Sequence, residues 1–304
     1  MNYSSDSLIA TIRLRAGIPQ SALISDQNIL EVINYELRQT ILPMVIEAGA
    51  EYYVTFEDFE INTEGIYEIP ALAMGKKLRD VQVVGMNNTP KLRSVLSILP
   101  QISLSNLSRA YFPNQWYYNQ LGFVIRGNKL TIYPPNTRIP AGYLRMYYYR
   151  RPNECVLESQ GAQITVTSST QFVVGAVPAA FGLTPNIDII QQTPSFDIAE
   201  DCENIAASVS GTTFTVPTTE NMTTGDYVNL TGQTSFPQMP VDLQNMLIQT
   251  CCMRMYEILR DEQRLTTASQ MFDKMRMMTL KLISPRVDGR QIKITSQNSI
   301  SNFI

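Results

Sequence analysis

The sequence predicts an α+β fold in which N- and C-terminal helices pack together as a helical base, with an antiparallel β-sheet domain and a β-rich insertion between them. Three observations carry this prediction. Apolar residues recur at three- and four-residue steps near both ends of the chain, which is the period of a buried helical face. The stretch from about residue 52 to residue 150 alternates apolar and polar residues, as half-buried strands do. Residues 155–239 are rich in Thr, Ser, Val and Gly and contain short strand candidates.

The first domain, residues 1–50, is predicted to supply two helices of the base. Ser5 and Asp6 can cap a first helix over residues 7–16. Ser25 is a good N-cap for a second helix, because its hydroxyl can accept from the first free backbone N–H groups. The second helix carries its apolar side chains on one face: Ile29, Val32, Ile33, Leu37 and Ile41.

The second domain, residues 51–154, is predicted to be an antiparallel sheet with an aromatic loop. Gly127 and Asn128 separate two alternating runs and suit the tight turn of a β-hairpin. Residues 62–65 are a further candidate turn, after which the chain is expected to return as a strand. The strand candidates are 52–61, 66–69, 77–84, 123–126, 129–133 and 143–149. The loop-rich segment 90–120, with a short helix near 105–110, holds Tyr111, Phe112, Trp116, Tyr117 and Tyr118.

The third domain, residues 155–239, is predicted to be a small β-rich insertion between the main sheet and the last helical segment. Ser210 and Gly211 form a candidate hairpin turn. The insertion is poor in Lys and Arg, unlike the segments on either side. Its strand candidates are 163–167, 171–174, 205–209, 212–216 and 227–230.

Residues 240–285 carry the strongest helical pattern and are bounded by Pro240 and Pro285. The apolar positions are Leu243, Leu247, Cys251, Met255, Ile258, Leu259, Leu265, Ala268, Phe272, Met275, Met278 and Leu282. A single helix over this segment would reach roughly 60 Å. Residues 286–304 are polar and are predicted to be an extended C-terminal arm. The alternation over residues 291–295 suits a strand that adds to the edge of a neighbouring sheet.

Composition removes several classes of chemistry. The 304 residues include no histidine, which excludes Ser-His-Asp and Cys-His catalytic systems and most zinc and iron sites. Four cysteines without a CxxC pair do not suggest a disulfide framework, which suits a reducing compartment. The net charge of −3 provides no overall basic field for nucleic acid. Without a recognisable signal peptide or membrane-length apolar run, the chain is expected to fold in the cytoplasm and away from membranes.

Candidate chemistry in the sequence is sparse. Asp58 and Glu60 alternate on one strand face and could form the carboxylate pair of a glycosidase, but a solvated strand face is the favoured interpretation of Glu57, Asp58 and Glu60. No glycine-rich phosphate loop is present. Small basic groups could touch phosphate, although solvated or ion-paired side chains are favoured. These groups are Arg150 with Arg151, and Arg286, Arg290 and Lys293. No cofactor, metal site or enzyme activity is expected.

The order of parts, together with a few short motifs, carries a family resemblance. The run 122–135 reads GFVIRGNKLTIYPP and is followed by the strand 144–149 and by Arg150-Arg151-Pro152. Residues 225–228, Gly-Asp-Tyr-Val, lead into residues 239–243, Met-Pro-Val-Asp-Leu, at the start of the last helical segment. With the N-terminal stretch 25–34, this arrangement resembles the head-to-tail adaptor (neck or connector) proteins of tailed bacteriophages.

The resemblance implies a virion structural protein rather than an enzyme. It implies a ring of about twelve copies, stacked between portal and tail, through which DNA passes without specific binding. In such a ring the helical base packs against neighbouring copies, the arm grips the portal protein or an adjacent subunit, and the β-domain meets a downstream tail or neck protein. The expected subunit and portal contacts are Arg286, Arg290, Ile292, Ile294 and Phe303 of the arm, with Trp116 and Tyr117 of the aromatic loop.

Two other functions stay open. One is a tail-fibre, receptor-binding or baseplate module, in which the Ser/Thr-rich insertion binds a glycan. The other is an enzyme that acts on cell-wall sugars through carboxylates alone, since histidine is missing. The enzyme hypothesis requires a pair of carboxylates that face each other in a cleft.

Overall fold

The structure is a computed structural model that describes residues 3–19, 24–48, 51–87, 89–102, 121–133, 142–192 and 196–283. Helices from both ends of the chain pack together, and sheets occupy the middle, so the predicted α+β class is confirmed. The helices are α1 (Ser5–Ala16), α2 (Asp26–Glu36), α3 (Leu42–Glu47), α4 (Gln244–Leu259) and α5 (Glu262–Ile283).

The helical base has one apolar core built from both chain ends. Ile12, Ile29 and Ile33 from the N-terminal helices are fully buried together with Leu247 and Met255 of α4. Helix α4 packs against both α1 and α2. The first helix starts earlier than predicted, because the hydroxyl of Ser4, rather than Ser5 or Asp6, accepts from a backbone N–H in the first turn.

Pro43 is accommodated by a widened helical turn. The sequence predicts a kink or an end at this proline, since it lacks the N–H that an α-helix needs. Instead, Leu37–Ile41 form a π-helical turn in which the Leu42 N–H donates to the Leu37 carbonyl, and α3 follows directly. Wide turns of this kind re-route backbone hydrogen bonds around a position that cannot donate. The helical path therefore continues from Asp26 to Glu47.

The prediction of one long C-terminal helix is wrong. Helix α4 ends at Leu259, and Arg260 adopts a left-handed conformation with φ 57°. The Asp261 carboxylate then accepts from the Arg264 N–H at 3.0 Å and begins α5. Helix α5 folds back along α4, where the side-chain amide of Gln249 donates to the Ala268 carbonyl at 3.0 Å. The two helices form an antiparallel hairpin.

Replacing Arg260 with glycine is expected to stabilise the hairpin by up to about 1 kcal/mol, because only glycine adopts the left-handed conformation without steric cost. The described residues give the Arg260 side chain no hydrogen bond or ion pair that the change would remove. The melting temperature should rise by a few degrees. Gln263→Gly, inside α5, is the matched control and should lower it, since glycine there weakens the helix. A lower melting temperature for Arg260→Gly would contradict the prediction.

The main sheet has four antiparallel strands in the order β1-β7-β3-β4. A second sheet has the order β2-β6-β5 and contains the predicted hairpin around Gly127, which is confirmed. The sequence predicts that the chain turns at residues 62–65 and that the next strand pairs back onto the strand before it, which is wrong. Strand β1 pairs with β7, whereas β2 pairs with β6. The strands are β1 (Val54–Glu60), β2 (Ile66–Glu68), β3 (Ala73–Val84), β4 (Val95–Ile98), β5 (Gly122–Arg126), β6 (Lys129–Tyr133) and β7 (Tyr143–Arg150).

The insertion is a seven-stranded antiparallel sheet with its own core. Phe172 and Phe214 are fully buried and stack with ring centroids 5.0 Å apart. The strand order is β12-β11-β15-β9-β10-β14-β13. All five predicted strands are present, although residues 205–209 divide into two short strands. The strands are β9 (Ala162–Ser168), β10 (Gln171–Val174), β11 (Asn186–Ile190), β12 (Ile205–Ala206), β13 (Ser208–Ser210), β14 (Thr213–Thr215) and β15 (Tyr227–Leu230).

The chain enters and leaves the insertion through a short parallel pair, β8 (Glu154–Cys155) and β16 (Gln233–Thr234). Asn34 of α2 holds this stem, because its amide donates to the Cys155 carbonyl at 2.9 Å and accepts from the Cys155 N–H at 2.7 Å. All of these groups are buried, so the paired bonds replace hydrogen bonds to water. The helical base thereby fixes where the insertion starts.

Candidate functional site

A cleft of about 910 Å³ lies between the first strand of the main sheet and the insertion. Its near wall is the stretch 52–58, which leads into and along β1, and its far wall is the loop 197–203. Because this loop comes from the insertion, the cleft exists only when both units are folded and the stem holds them side by side. The polar side chains of its lining include Glu57, Asp58, Arg93, Arg150, Asp201, Glu203 and Gln238.

An ion-pair cluster forms part of the near wall. The Asp58 carboxylate accepts from Arg145 at 2.7 and 2.8 Å and from Arg93 at 2.6 Å, and all three side chains are more than nine-tenths buried. The two guanidinium groups lie on aromatic faces: Arg93 is 3.4 Å from the Tyr143 ring centroid and Arg145 is 4.0 Å from that of Phe56. The interpretation of Asp58 as a solvated carboxylate is therefore wrong.

The far wall belongs to a longer loop, residues 196–204, in which three non-glycine residues adopt the left-handed region of backbone conformation. Phe196, Asp201 and Asn204 have φ values of 55°, 57° and 53°. Asp188 of β11, which is fully buried, holds the loop end, because its carboxylate accepts from the Asn204 N–H at 2.7 Å. The same carboxylate accepts from the Asn153 side chain at 2.7 Å and from the Gly232 N–H at 2.9 Å. One buried carboxylate thus ties the loop to the residues that immediately precede the two strands of the stem.

The cleft is strongly acidic. Its lining contains six carboxylates and two guanidinium groups. Arg93 forms an ion pair with Asp58, and Arg150 forms one with Glu203 at 2.7 Å. The cleft carboxylates also affect Tyr148 of the main sheet. Burial, and then the negative charges of Glu57 and Glu203, raise the pKa of Tyr148 to about 12. The described residues provide no ion pair for Glu57 or Asp201, whose side chains are exposed in the cleft.

A buried amide in the lining lacks an acceptor. Gln238 is 2% exposed, and its side-chain oxygen accepts from the Asn153 N–H at 2.8 Å. That bond leaves the Nε2 group without an acceptor among the described residues. A buried donor with no partner costs about 1–3 kcal/mol, so Gln238 marks a place where an incoming acceptor would be favourable.

The arrangement suits a cationic ligand better than a metal ion or a thiol reaction. Among the described residues, no group of three or more carboxylates or thiolates converges as metal ligands. All four cysteines are buried and unpaired. Burial raises the pKa of the Cys155 thiol to about 12, which disfavours the reactive thiolate. What the cleft presents is carboxylates and one amide donor, the groups that bind guanidinium and peptide groups.

The predicted site residues divide into two groups. Arg286, Arg290, Ile292, Ile294 and Phe303, with Trp116 and Tyr117, lie outside the described residues, as does the helix predicted near 105–110. Arg150, by contrast, is ion-paired as expected. The cleft itself was missed, although the acidic run 197–203 was readable in the sequence.

No known protein family matches this sequence, and no curated protein matches it either. None of the helices in the described ranges is both long and apolar enough to cross a membrane.

Replacing Glu57 with glutamine is expected to stabilise the protein near neutral pH. Partial desolvation of the Glu57 carboxyl at the cleft wall, and then the neighbouring Glu203, raise its pKa in the folded chain. The folded state therefore holds this proton more tightly than the unfolded state. The stability that it contributes is present below the unfolded pKa and is lost as pH rises through the folded pKa. Glutamine cannot ionise, so the free energy of unfolding of the variant should not fall in this way as pH rises.

Urea unfolding of the Glu57→Gln variant and the parent at pH 4 and at pH 7 measures this effect. The difference in free energy of unfolding between the variant and the parent should be larger at pH 7 than at pH 4. Glu60→Gln, at an exposed position of the same strand that does not line the cleft, should show no such gap. A gap that is equal at both pH values would contradict the assignment.

Proposed function

We propose that this chain is a virion structural protein, a head-to-tail adaptor of a tailed bacteriophage. In this proposal about twelve copies form a ring between portal and tail and continue the DNA channel. The helical base forms the contacts between copies, and the β-domain meets the next tail component.

One observation carries the proposal, namely the uncovered apolar surface of the C-terminal hairpin. Helix α5 has 22 residues, and of those whose exposure is described only Ala268 and Thr279 are buried. Met271, Met277 and Met278 are 53%, 63% and 69% exposed. At the hairpin turn Ile258 and Leu259 are also exposed. Methionines and other large apolar side chains grouped on one element are typical of surfaces that pack against another subunit.

The charge distribution supports a DNA channel without a binding site. The chain has a net charge of −3, and the cleft between β1 and the insertion is acidic. Phosphate contacts supply most of the affinity of proteins for DNA and require clustered Lys and Arg. A ring of subunits without net positive charge would let DNA slide, as an adaptor requires.

The decisive measurement is the copy number of this chain in purified particles from infected cells, by quantitative mass spectrometry against the major shell protein. About a dozen copies would support the ring. A small multiple of three would favour a tail-fibre or baseplate part. Absence from particles would reject every structural role.

One observation favours a second candidate, an enzyme that acts on cell-wall sugars. Glu57 and Glu203 line the same cleft with Tyr52 and Tyr143, and Glu57 has a raised pKa, as a general acid requires. This candidate predicts cleavage of purified cell-wall glycan that Glu57→Gln abolishes. The adaptor predicts no cleavage by either protein.

A further inference from the structure

The acidic cleft contains polar groups that lack a partner among the described residues. Glu57 and Asp201 face it from opposite walls without a cation among the described residues. Gln238, which is 2% exposed, holds its Nε2 donor at the same cleft without an acceptor. Unpaired carboxylates alone are common on protein surfaces. The buried donor is different, because no described residue satisfies it and an acceptor that reaches it from the cleft would do so.

The required ligand therefore carries both cationic groups and acceptors. A peptide segment with arginine or lysine side chains does so, since its side chains pair with carboxylates and its backbone carbonyls accept hydrogen bonds. A metal ion would not satisfy Gln238, and the described residues offer it no converging set of ligands.

The chain itself contains such a segment just beyond its last described residue. Residues 286–293 include Arg286, Arg290 and Lys293 against a single acid, Asp288. They begin three positions after Ile283, the last residue that the structure describes. Ten residues, from 284 to 293, have an extended length of up to about 35 Å.

We propose that the acidic cleft binds the basic segment 286–293 of a second copy of this chain. Arginine from the segment pairs with Glu57 and Asp201, and a backbone carbonyl of the segment accepts from Gln238 Nε2. The choice of a second copy rests on the proposed ring, in which each copy has a neighbour within reach. The cleft would then be the socket that links adjacent subunits.

The first test measures the interaction directly. A fluorescent synthetic peptide of residues 284–297 is titrated with the full-length protein, and its anisotropy is followed. Binding should weaken at least tenfold for the double variant Glu57→Gln with Asp201→Asn. Asparagine tolerates the left-handed conformation of residue 201, so that wall should keep its shape. The control Glu60→Gln should bind as the parent does.

Two peptide controls define specificity. A peptide with Arg286, Arg290 and Lys293 replaced by glutamine should not bind. A scrambled peptide of the same composition should bind at least fivefold more weakly than the native order. Equal binding of the scrambled peptide, or no effect of the cleft variant, would overturn the proposal.

The second test asks which copy supplies the segment. One full-length variant carries the three glutamine substitutions in its segment, and the other carries Glu57→Gln with Asp201→Asn in its cleft. Each alone has only one half of the linkage, so neither should associate through it. Mixed together, they should form complexes that light scattering detects, because one keeps a cleft and the other keeps a segment. The parent alone should also associate, because each copy carries both a cleft and a segment. A parent that stays monomeric while the mixture associates would place the segment in its own cleft and overturn the second-copy assignment. No association in either sample would overturn it as well.

The binding tests and the copy-number measurement can fail independently of each other. Peptide binding and complementation in a protein that is absent from particles would keep the cleft proposal and reject the adaptor. About a dozen copies in particles without peptide binding would keep the adaptor and reject the cleft proposal.

Discussion

Asp188→Asn is expected to lower the free energy of unfolding by about 3 kcal/mol, because a buried carboxylate that satisfies several donors cannot be replaced without leaving one of them unpaired. The Asp188 oxygens accept from three N–H groups, on Asn153, Asn204 and Gly232. Asparagine turns one of these oxygens into a donor, so at least one N–H meets another N–H. Urea unfolding followed by circular dichroism measures the loss.

The matched control is Asp242→Asn, at an exposed position in the turn before α4. It should change the free energy of unfolding by less than about 0.5 kcal/mol, as surface substitutions usually do. Hydrogen exchange should also show where the damage lies. Protection should fall first in the loop 196–204 and in the stem strands, which Asp188 joins. A uniform loss across the helical base would contradict that role.

Asp58→Asn is expected to cost about 3–5 kcal/mol, the range for breaking a buried ion pair by removing one partner. Arg93 and Arg145 would both keep their charge inside the sheet without a carboxylate. The remaining contacts of these arginines, with carbonyl oxygens and aromatic rings, do not neutralise that charge. The free energy of unfolding from urea titration is again the measurement.

Two observations would distinguish this effect from a general loss of strand stability. Glu60→Gln, two positions along on the same strand and exposed, should be close to neutral. The cost of Asp58→Asn should also persist in 0.5 M salt, because buried charges are poorly screened. A loss that disappears in salt would show that the pair behaves as a surface ion pair.

The helical part of the fold was predictable because its signals are local. The three- and four-residue period of Ile29, Ile33 and Leu247 reports burial directly, and those residues do form the core of the base. The break at Arg260 was missed because no glycine or proline marks it and the apolar period continues through the turn. Asp261, a good N-cap, was the available signal.

Strand pairing and the cleft could not be predicted in the same way. The alternation in β1 places Asp58 on a face, but its two arginines lie 35 and 87 residues away in sequence. Likewise the acidic run 197–203 is visible as composition, whereas its position opposite Glu57 depends on the tertiary structure of the whole insertion. Such contacts are set by tertiary structure, which no local pattern contains.

The shared core of the helical base has a consequence for synthesis. Helices α1 and α2 leave the ribosome about 200 residues before α4, and at roughly 5–20 residues per second the delay is about 10–40 s. During that time Ile12, Ile29 and Ile33 have no α4 to cover them, although the intervening sheets can already fold. The nascent chain therefore displays an apolar surface for tens of seconds, which makes it a natural substrate for chaperones during translation.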